Sequence, residues 1–579
     1  MLTNVNLRPS NDPDFWGDRY PRSVYLWEGF SRPIEEVRRS LIPVMDDLFR
    51  TKEQIREADV FLKGLYFKLL PELARRLNQI HGLSESDSFW ECTLGVWFFR
   101  HVSIVYDKYA YFSKIDFSSV SVKLLDEESF YIPTAHYQYL YCFSGDHGVQ
   151  QLLSLYCALK GHHFPKVKKK FSYKDEFVIP TLSAVAKAKK FAKHCISFVR
   201  RQNTRGKVVL CNVFYTADVI QELRTRSEGR VYCIDLPQVQ EDIPFDFQKR
   251  RKLAHTESND ELVRYIFSTL EHCLPTSLLE HFPELYGRYN RELSKKNFKY
   301  VVSEVWMSDF PTSIYLALAR KHGRYLIFQQ HGASLHWLFA NLMWMEYRFA
   351  DLFMTTGWKD GDPKTVAGGF SCRDITEYSF ASSKQKVLFI TRTKFPFLQQ
   401  FGENPTNSCF AKLLESTSKF LDSLPEPLKR DFYFRPRVLS QFVDVGAVLE
   451  LERRGIQVDK GDFSQSIAES KIVIVDHLST GIAEILKAGV PCLIVNDPEL
   501  SPLADEYEHV FDDLIQCGVF HTSLDSARAK LLTIQNDVFS WWMDPSVQSP
   551  VRALIESTLG EKDRTVDYII SLLQARNTH

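Results

Sequence analysis

The chain has 579 residues, more than the roughly 250–300 at which one hydrophobic core stops growing, so at least two domains are expected. Hydrophobic residues make up 44% and charged residues 25%, while aromatics reach 13%, a globular balance with large interior anchors that argues against disorder. Lys plus Arg and Asp plus Glu both total 72, so there is no global basic field for nucleic acid.

The 11 cysteines are scattered without a C-x-x-C pair, which points away from a zinc ribbon or disulfide framework and toward free thiols in a reducing cytoplasm. The opening "MLTNVNLRPSNDPDFWGDRY" carries early charges and no apolar run, so it does not read as a secretory signal. No window approaches the ~18–20 apolar residues of a membrane span. The expected location is the cytoplasm, with any membrane association peripheral, at the inner face of the cytoplasmic membrane.

Residues 1–200 read as a mostly helical region, part of the first domain or inserted in it. "IEEVRRSLIPVMDDLFRTKEQIREADVFLKGLYFKLLPELARRLNQIHG" spaces apolar residues three and four apart, with Pro43 and Pro71 expected to break or kink it. "FWECTLGVWFFRHVSIVYDKYAYF" predicts an aromatic helix buried on several sides. "GHHFPKVKKKFSYKDE" reads as an exposed basic connection.

From 201 to 380 the texture changes to short β-rich runs, "KVVLCNVF", "RVYCIDL", "KYVVSEVW" and "RYLIFQQ", alternating with helical stretches. After a polar linker near Ser371 to Gln385, residues 381–550 repeat the pattern through "VLFITRTK", "DFYFRPR", "GIQVDKG", "KIVIVDH" and "PCLIVND". The expectation is an α/β protein of two Rossmann-like, doubly wound domains. A C-terminal helix, within 551–579, is expected to pack back across their junction.

The clearest motif is "KIVIVDHLSTGIAEILKAGVPCLIV": buried strand, polar corner, helix, turn, buried strand. Ser479, Thr480 and Gly481 fall where the helix begins, so their hydroxyls and N–H groups can face an anion. Glu484 lies one turn further in, placed to accept hydrogen bonds from ribose hydroxyls. Asp476 and His477 end the strand at the carboxyl edge, where open α/β sheets bind ligands. An ordinary N-cap explains Ser479 and Thr480 equally well on spacing alone. Arg435 and Arg437 flank Pro436 on a stiff turn, suited to neutralising a phosphate, or are two surface arginines. Thr391, Arg392, Thr393 and Lys394 end another strand as a phosphate cradle or as exposed charge.

In the first domain "QQHG" closes a late strand at the cleft. Gly332 permits close backbone approach, and His331 is suited to contacting a phosphate or carboxylate or to acid–base work, unless a backbone carbonyl merely satisfies it. Glu304 is a candidate general base, whereas Asp309 reads more naturally as a helix cap. Asp360 and Asp362 form a D-x-D that turn chemistry outweighs as a metal site, and no metal site is proposed.

The second-domain motif resembles the donor-nucleotide segment of GT-B glycosyltransferases and the Asp-Tyr-Ser-Ser segment of the CDP-glycerol glycerophosphotransferases. The His-Gly pair is similar to that of the glycerophosphotransferases and of the capsule β-Kdo transferases. "FWECTLGVWFFRHVSIVYDKY", "FQQHG", "YRFADLFMTTGW" and "VDHLSTGIAEIL", in that order, resemble a family of surface-carbohydrate (O-antigen) transferases first labelled in Leptospira. Trp90, Gly95, Trp97, Asp107, Tyr109, His331, Gly332, Asp351 and Trp358 match its pattern, while "HGASLHW" departs from a His-Gly-aromatic-Gly form.

The resemblance implies a GT-B-like, metal-independent glycosyltransferase of bacterial surface-polysaccharide synthesis, with no cofactor beyond its nucleotide-activated donor. Its partners would be a nucleotide-sugar, with a CMP-linked ulosonic acid preferred, and a glycan or lipid-linked acceptor. A CDP-alcohol polyol-phosphate transferase, a nucleotide-sugar epimerase and a non-catalytic scaffold are the alternatives.

Overall fold

Helix-forming spacing and capping chemistry set the amino-terminal region of the computed structural model, which describes residues 4–26, 45, 48–49, 51–171, 207–236, 243–304, 310–369, 378–379, 384–399, 401, 407–436 and 442–574. Helix α1 (Lys52–His81) opens on a capping box in which Thr51 and Gln54 exchange side-chain-to-backbone bonds, and Gly82 at φ 65° ends it. Pro71 lies inside this continuous 30-residue helix, so the break expected there does not occur. Pro71 and Phe67, four residues earlier, both sit on the exposed face, where solvent reaches the carbonyl that loses its partner. Pro43 lies outside the described residues.

Helix α2 (Asp87–Phe112) is buried nearly all round: Trp90, Trp97, Phe98 and Phe112 are sealed in the core. Beside these helices β1 (Val5–Arg8) lies between β2 (Ser23–Tyr25) and β3 (Val120–Ser121), and β4 (Leu124–Leu125) pairs with β5 (Lys166–Val167). The basic run around β5 is matched by acids. Lys166 and Lys168 pair with Glu127 and Glu128, and Lys169 with Asp12 and Asp14.

Two six-stranded sheets carry the rest, and every pairing in them is parallel. The first comprises β6 (Val208–Cys211), β7 (Val231–Ile234), β8 (Tyr300–Ser303), β9 (Tyr325–Gln329), β10 (Leu352–Thr355) and β11 (Thr365–Ala367), in the order β11-β10-β9-β8-β6-β7. The second comprises β12 (Val387–Ile390), β13 (Phe432–Arg435), β14 (Gln457–Val458), β15 (Ile472–Val475), β16 (Cys492–Val495) and β17 (Phe520–His521), in the order β14-β13-β12-β15-β16-β17. Counted from its own first strand the second sheet runs 3-2-1-4-5-6, the dinucleotide-binding order. The chain reverses direction of growth between β6 and β8 in one sheet and between β12 and β15 in the other. Helices α3 (Ala217–Arg226), α4 (Phe310–Lys321) and α5 (Thr480–Lys487) follow β6, β8 and β15.

The amino-terminal helices and one face of the first sheet form a single core that runs from Val5 to Trp358 and takes in Phe397, Leu398 and Phe401 from beyond β12. The second domain is clasped in return. Trp337, after β9, is buried in the second-domain core beside Phe511, and its carbonyl accepts from Ala504 N–H at 2.9 Å. Lys52 pairs with Asp505 and Glu508 across the same junction, and Arg56 with Asp505.

In place of the one C-terminal helix expected from residue 551, α6 (Pro545–Thr558) packs on the second domain and α7 (Lys562–Gln574) on α3 and β6. Between them Gly560 donates to the Thr356 carbonyl at 2.7 Å, and a Cβ on Gly357 would lie 2.2 Å from Gly560 N. Most of the Ser371–Gln385 linker lies outside the described residues. The result is two Rossmann-like domains in a GT-B-like arrangement, with a large helical region merged into the first. Among the described residues no helix is long and apolar enough to cross a membrane.

Among the described residues burial leaves several imidazoles reluctant to charge, His136 among them. Desolvation holds His81, His147 and His272 down to about 4, and His101 and His336 down to about 3. A depressed folded-state pKa gives stability that is present above the unfolded histidine value of about 6.5 and is lost as pH falls toward the folded one. Asp146, which burial raises to about 6, opposes this in part. Urea midpoints measured from pH 7 to pH 5 are expected to fall steeply as the unfolding free energy drops by up to about 1.4 kcal/mol per pH unit for each ring. A midpoint unchanged over that range would contradict neutral burial of these side chains.

Candidate functional site

A cavity of about 900 Å³ opens where β12 and β15 diverge, at the switch point of the second sheet. Its wall collects residues from four strand ends: Thr391 and Arg392 after β12, Arg435 at the end of β13, Asp459 and Lys460 after β14, and His477 after β15. Ser479, Thr480, Gly481 and Glu484, from the first turns of α5, complete it. Ser479 is the N-cap of α5, yet its side chain makes no cap hydrogen bond. The helix therefore directs its positive end at the cavity without spending this hydroxyl on its own N–H groups. Gly481 sits tightly: a Cβ there would be 3.2 Å from Phe463 Cζ.

Two expected ligand contacts have other employment. The Asp476 side chain is buried and absent from the cavity wall. Its carboxylate accepts from the Thr391 hydroxyl, from Arg392 N–H at 2.9 Å and from His477 Nδ1 at 3.0 Å, while its carbonyl accepts from the Arg392 guanidinium at 3.0 Å. Asp476 thus ties the ends of β12 and β15 together from beneath. This leaves Nε2 of His477 as the ring nitrogen turned from Asp476. Burial lowers the Arg392 pKa, with Asp476 opposing the shift.

Arg435 is also partly committed. It pairs with Asp459 at 3.3 Å, donates to the Gly461 carbonyl at 3.0 Å and lies over the Phe463 ring. Arg437 lies outside the described residues.

The first-domain half of the site hangs on two amides. Gln329 Oε1 accepts from the buried Tyr215 hydroxyl. Gln330 donates from Nε2 to the Gly332 carbonyl at 2.9 Å and accepts from Trp358 Nε1 at 2.7 Å. Trp358 in turn stacks on His336, which lies beneath the turn. So "QQHG" is shaped by its glutamines, which hold the turn from inside and leave His331 at its rim.

His331 is half-exposed, and its Nδ1 lies 3.1 Å from Glu304 Oε1. The other Glu304 oxygen accepts the Phe214 N–H at 2.7 Å. Glu304 is largely buried with both oxygens engaged, an orienting group in geometry, whereas His331 Nε2 faces away from that pair. Gly332 adopts φ 84°, and a Cβ on it would stand 3.0 Å from Thr480 Oγ1. The two motifs singled out in the two domains therefore meet across the junction.

Other residues of the family pattern form scaffold. Gly95 lets the Tyr66 hydroxyl approach to 2.6 Å of where a Cβ would be. Asp351 accepts from Leu326 N–H at 2.7 Å and pairs with Arg320. Asp360 and Asp362 hold a turn, accepting from Asp362 N–H and Lys364 N–H. Asp309 lies outside the described residues.

Phe214, Asp459, Lys460 and Phe463 were not among the candidates read from the sequence. Phe214, Asp459 and Lys460 stand in loops just past strand ends and Phe463 opens the short helix that follows β14, so the carboxyl-edge rule applied to every strand would have flagged that neighbourhood. Glu346 carried no signal. It is buried, neither carboxyl oxygen has a hydrogen-bond partner, and burial with the Glu304 charge holds its pKa well above the usual carboxylate range.

A model of the family described as LIC12162 family transferase matches residues 35–572. No curated protein matches the chain. A Thermobaculum terrenum O-GlcNAc transferase is similar at 12% identity and TM-score 0.34, over 64% of this chain and 68% of that one. The Acinetobacter baumannii MurG is similar at 13% and 0.30, over 64% and 99%. The UDP-GlcNAc 2-epimerase of Neisseria meningitidis, bound to UDP-GlcNAc, is similar at 12% and 0.35, over 64% and 100%. Likenesses this remote bear on neither substrate nor mechanism.

The Gly332–Thr480 approach is directly testable. Gly332→Ala places a side chain in the left-handed region and against Thr480, so a loss of about 1–2 kcal/mol is expected. Thr480→Ala in the same chain should recover only the steric part. Equal stability of Gly332→Ala and wild type in chemical denaturation would mean that the turn is not held as described.

Proposed function

The chain belongs to the LIC12162 family of transferases, and we propose that it is a glycosyltransferase of bacterial surface-polysaccharide synthesis. It moves a sugar from a nucleotide donor to a glycan or lipid-linked acceptor. One observation carries this reading: α5 points its N-terminus into the cavity at the β12/β15 switch point, and His331–Gly332 of the first domain closes on the same helix start.

In this reading the donor phosphates lie against the first turn of α5, beside the Ser479 and Thr480 hydroxyls. Glu484 takes ribose hydroxyls, and Arg435 lies on the nucleoside side. As the bond from the anomeric carbon to the phosphate oxygen breaks, negative charge grows on the leaving phosphate. The helix N–H groups and dipole stabilise that charge in place, without needing to reorganise. An acceptor hydroxyl forms the new bond to the anomeric carbon and gives its proton to Nε2 of His331. Glu304 holds the ring through Nδ1 and stabilises the imidazolium that forms. Glu304 is then the positioning residue, and His331 the base. The clasp around Trp337 and the Asp505 ion pairs keep the two halves in register.

A CMP-linked ulosonic acid stands first among donors, on the resemblance of the His-Gly pair to that of the capsule β-Kdo transferases. Transfer of a polyol phosphate would call for additional cations at the cleft. Of the cations after β12, Lys394 is buried and outside the cavity wall, and the Arg392 guanidinium donates to the Asp476 carbonyl.

Thermal melts with CMP, CDP, UDP and GDP test the donor side. At a hundredfold excess over Kd a bound nucleotide adds about 2.7 kcal/mol, a rise of about 2 °C if all 579 residues melt as one unit. The Ser479→Ala/Thr480→Ala double variant should lose most of that rise. No response to any nucleotide would sink the donor site, and a response to UDP alone would overturn the cytidine preference.

On the acceptor side, His331→Ala is expected to lower kcat by roughly 10²–10⁴-fold while its Tm and nucleotide response stay those of the wild type. Wild-type turnover in that variant would return His331 to a structural role.

A further inference from the structure

We infer that Phe214 is the acceptor platform of this site: an aromatic face on which a sugar ring of the acceptor stacks while its reacting hydroxyl turns toward His331. The inference rests on the glycosyl-transfer reading for the purpose of the stacking, though the platform itself is a matter of binding.

Phe214 is 60% exposed, although burying such a ring is favourable. Its neighbour Tyr215 is turned inward, buried and bonded to Gln329, so the local chain has the means to hide an aromatic and hides only one of the two. The exposed ring is also held in place. Asn212 takes a left-handed backbone at φ 54°, and its carbonyl accepts Glu304 N–H at 3.3 Å. Phe214 N–H returns a bond to the Glu304 carboxylate at 2.7 Å. The loop is thereby fastened at both ends to the residue that orients His331, and the Phe214 and His331 rings lie 5.2 Å apart, tilted by 51°.

An apolar face beside an imidazole and a carboxylate suits a ligand with a C–H face on one side and hydroxyls on its edge, which is the chemistry of a pyranose ring. A phosphate gains nothing from a phenyl ring. The anion-binding features belong to α5 and the cavity of the second domain, so the platform falls to the acceptor. A ring fixed before binding loses little conformational freedom when the ligand arrives.

Saturation-transfer-difference NMR on the full chain, with the methyl glycosides of glucose, galactose, N-acetylglucosamine and mannose at millimolar concentration, tests this. At least one glycoside should receive saturation at its ring C–H protons. Phe214→Ala should weaken its binding about tenfold, and Phe214→Trp should retain it. The melting response of Phe214→Ala to CMP, CDP, UDP and GDP should equal that of the wild type. Absence of transfer to all four glycosides in the wild type would overturn the platform, as would undiminished transfer in Phe214→Ala. Loss of the nucleotide response in Phe214→Ala would assign the ring to the donor and overturn it too. Glycoside transfer that depends on Phe214, in a protein that answers to no nucleotide, would uphold the platform and defeat the glycosyl-transfer reading.

Discussion

The approach of Gly332 to Thr480 is the constraint on which the site depends. At 3.0 Å from where a Cβ would stand, Thr480 Oγ1 leaves room for glycine and little else, and φ 84° excludes most other residues independently. Both halves of the junction are arranged around it. From the first domain, Gln330 ties the Gly332 carbonyl to Trp358 and thence to His336. From the second, α5 begins where the β15 strand ends, over the anchor that Asp476 makes with β12.

Charge is divided between anchoring and exposure. Asp476, Asp459 and Glu304 each use their oxygens on neighbouring backbone or side chains, so they hold strand ends and loops in fixed relation. What remains half-exposed above them is the His331 ring, the first turn of α5 and the Lys460 ammonium. A carboxylate bound by two or three donors is a rigid support, and a rigid support is what places an imidazole to within tenths of an ångström. The same division explains why the strand-end residues with the strongest chemical character are not all in contact with the cavity.

The junction itself is interlocked. Trp337 from the first domain lies in the second core, Phe397 and Phe401 from the second lie in the first, and α6 and α7 bridge the two around Gly357 and Gly560. Each domain thus carries part of the other's core. Large rigid-body opening would expose those aromatics, at roughly 1.5–3 kcal/mol each. Motions confined to loops such as that of Phe214 cost far less.

Local pattern was enough for much of this protein. Apolar runs such as "VVLC" and "IVIV" bounded by polar corners made β6 and β15 legible, because a strand buried on both faces has no polar residue to hide. The spacing within "DHLSTGIAE" marked α5 and its anion-facing start, and "QQHG" marked a turn that needs glycine. Two-residue β17 and the half-buried β11 offered no such contrast, and Pro71 misled because its consequence depends on which face of α1 meets solvent.

Tertiary structure decided which polar residues are supports and which are available. Asp476 and Ser479 are equal candidates in one dimension, yet the first is consumed by Thr391 and Arg392, some 85 residues away, and the second is not consumed by its own helix. Glu304, His331 and Phe214 come together because parallel strands deliver their carboxyl ends to one edge, whatever the sequence separation between them. A hydrogen bond is made by proximity in space, and chain order carries no record of it until the sheets are assembled.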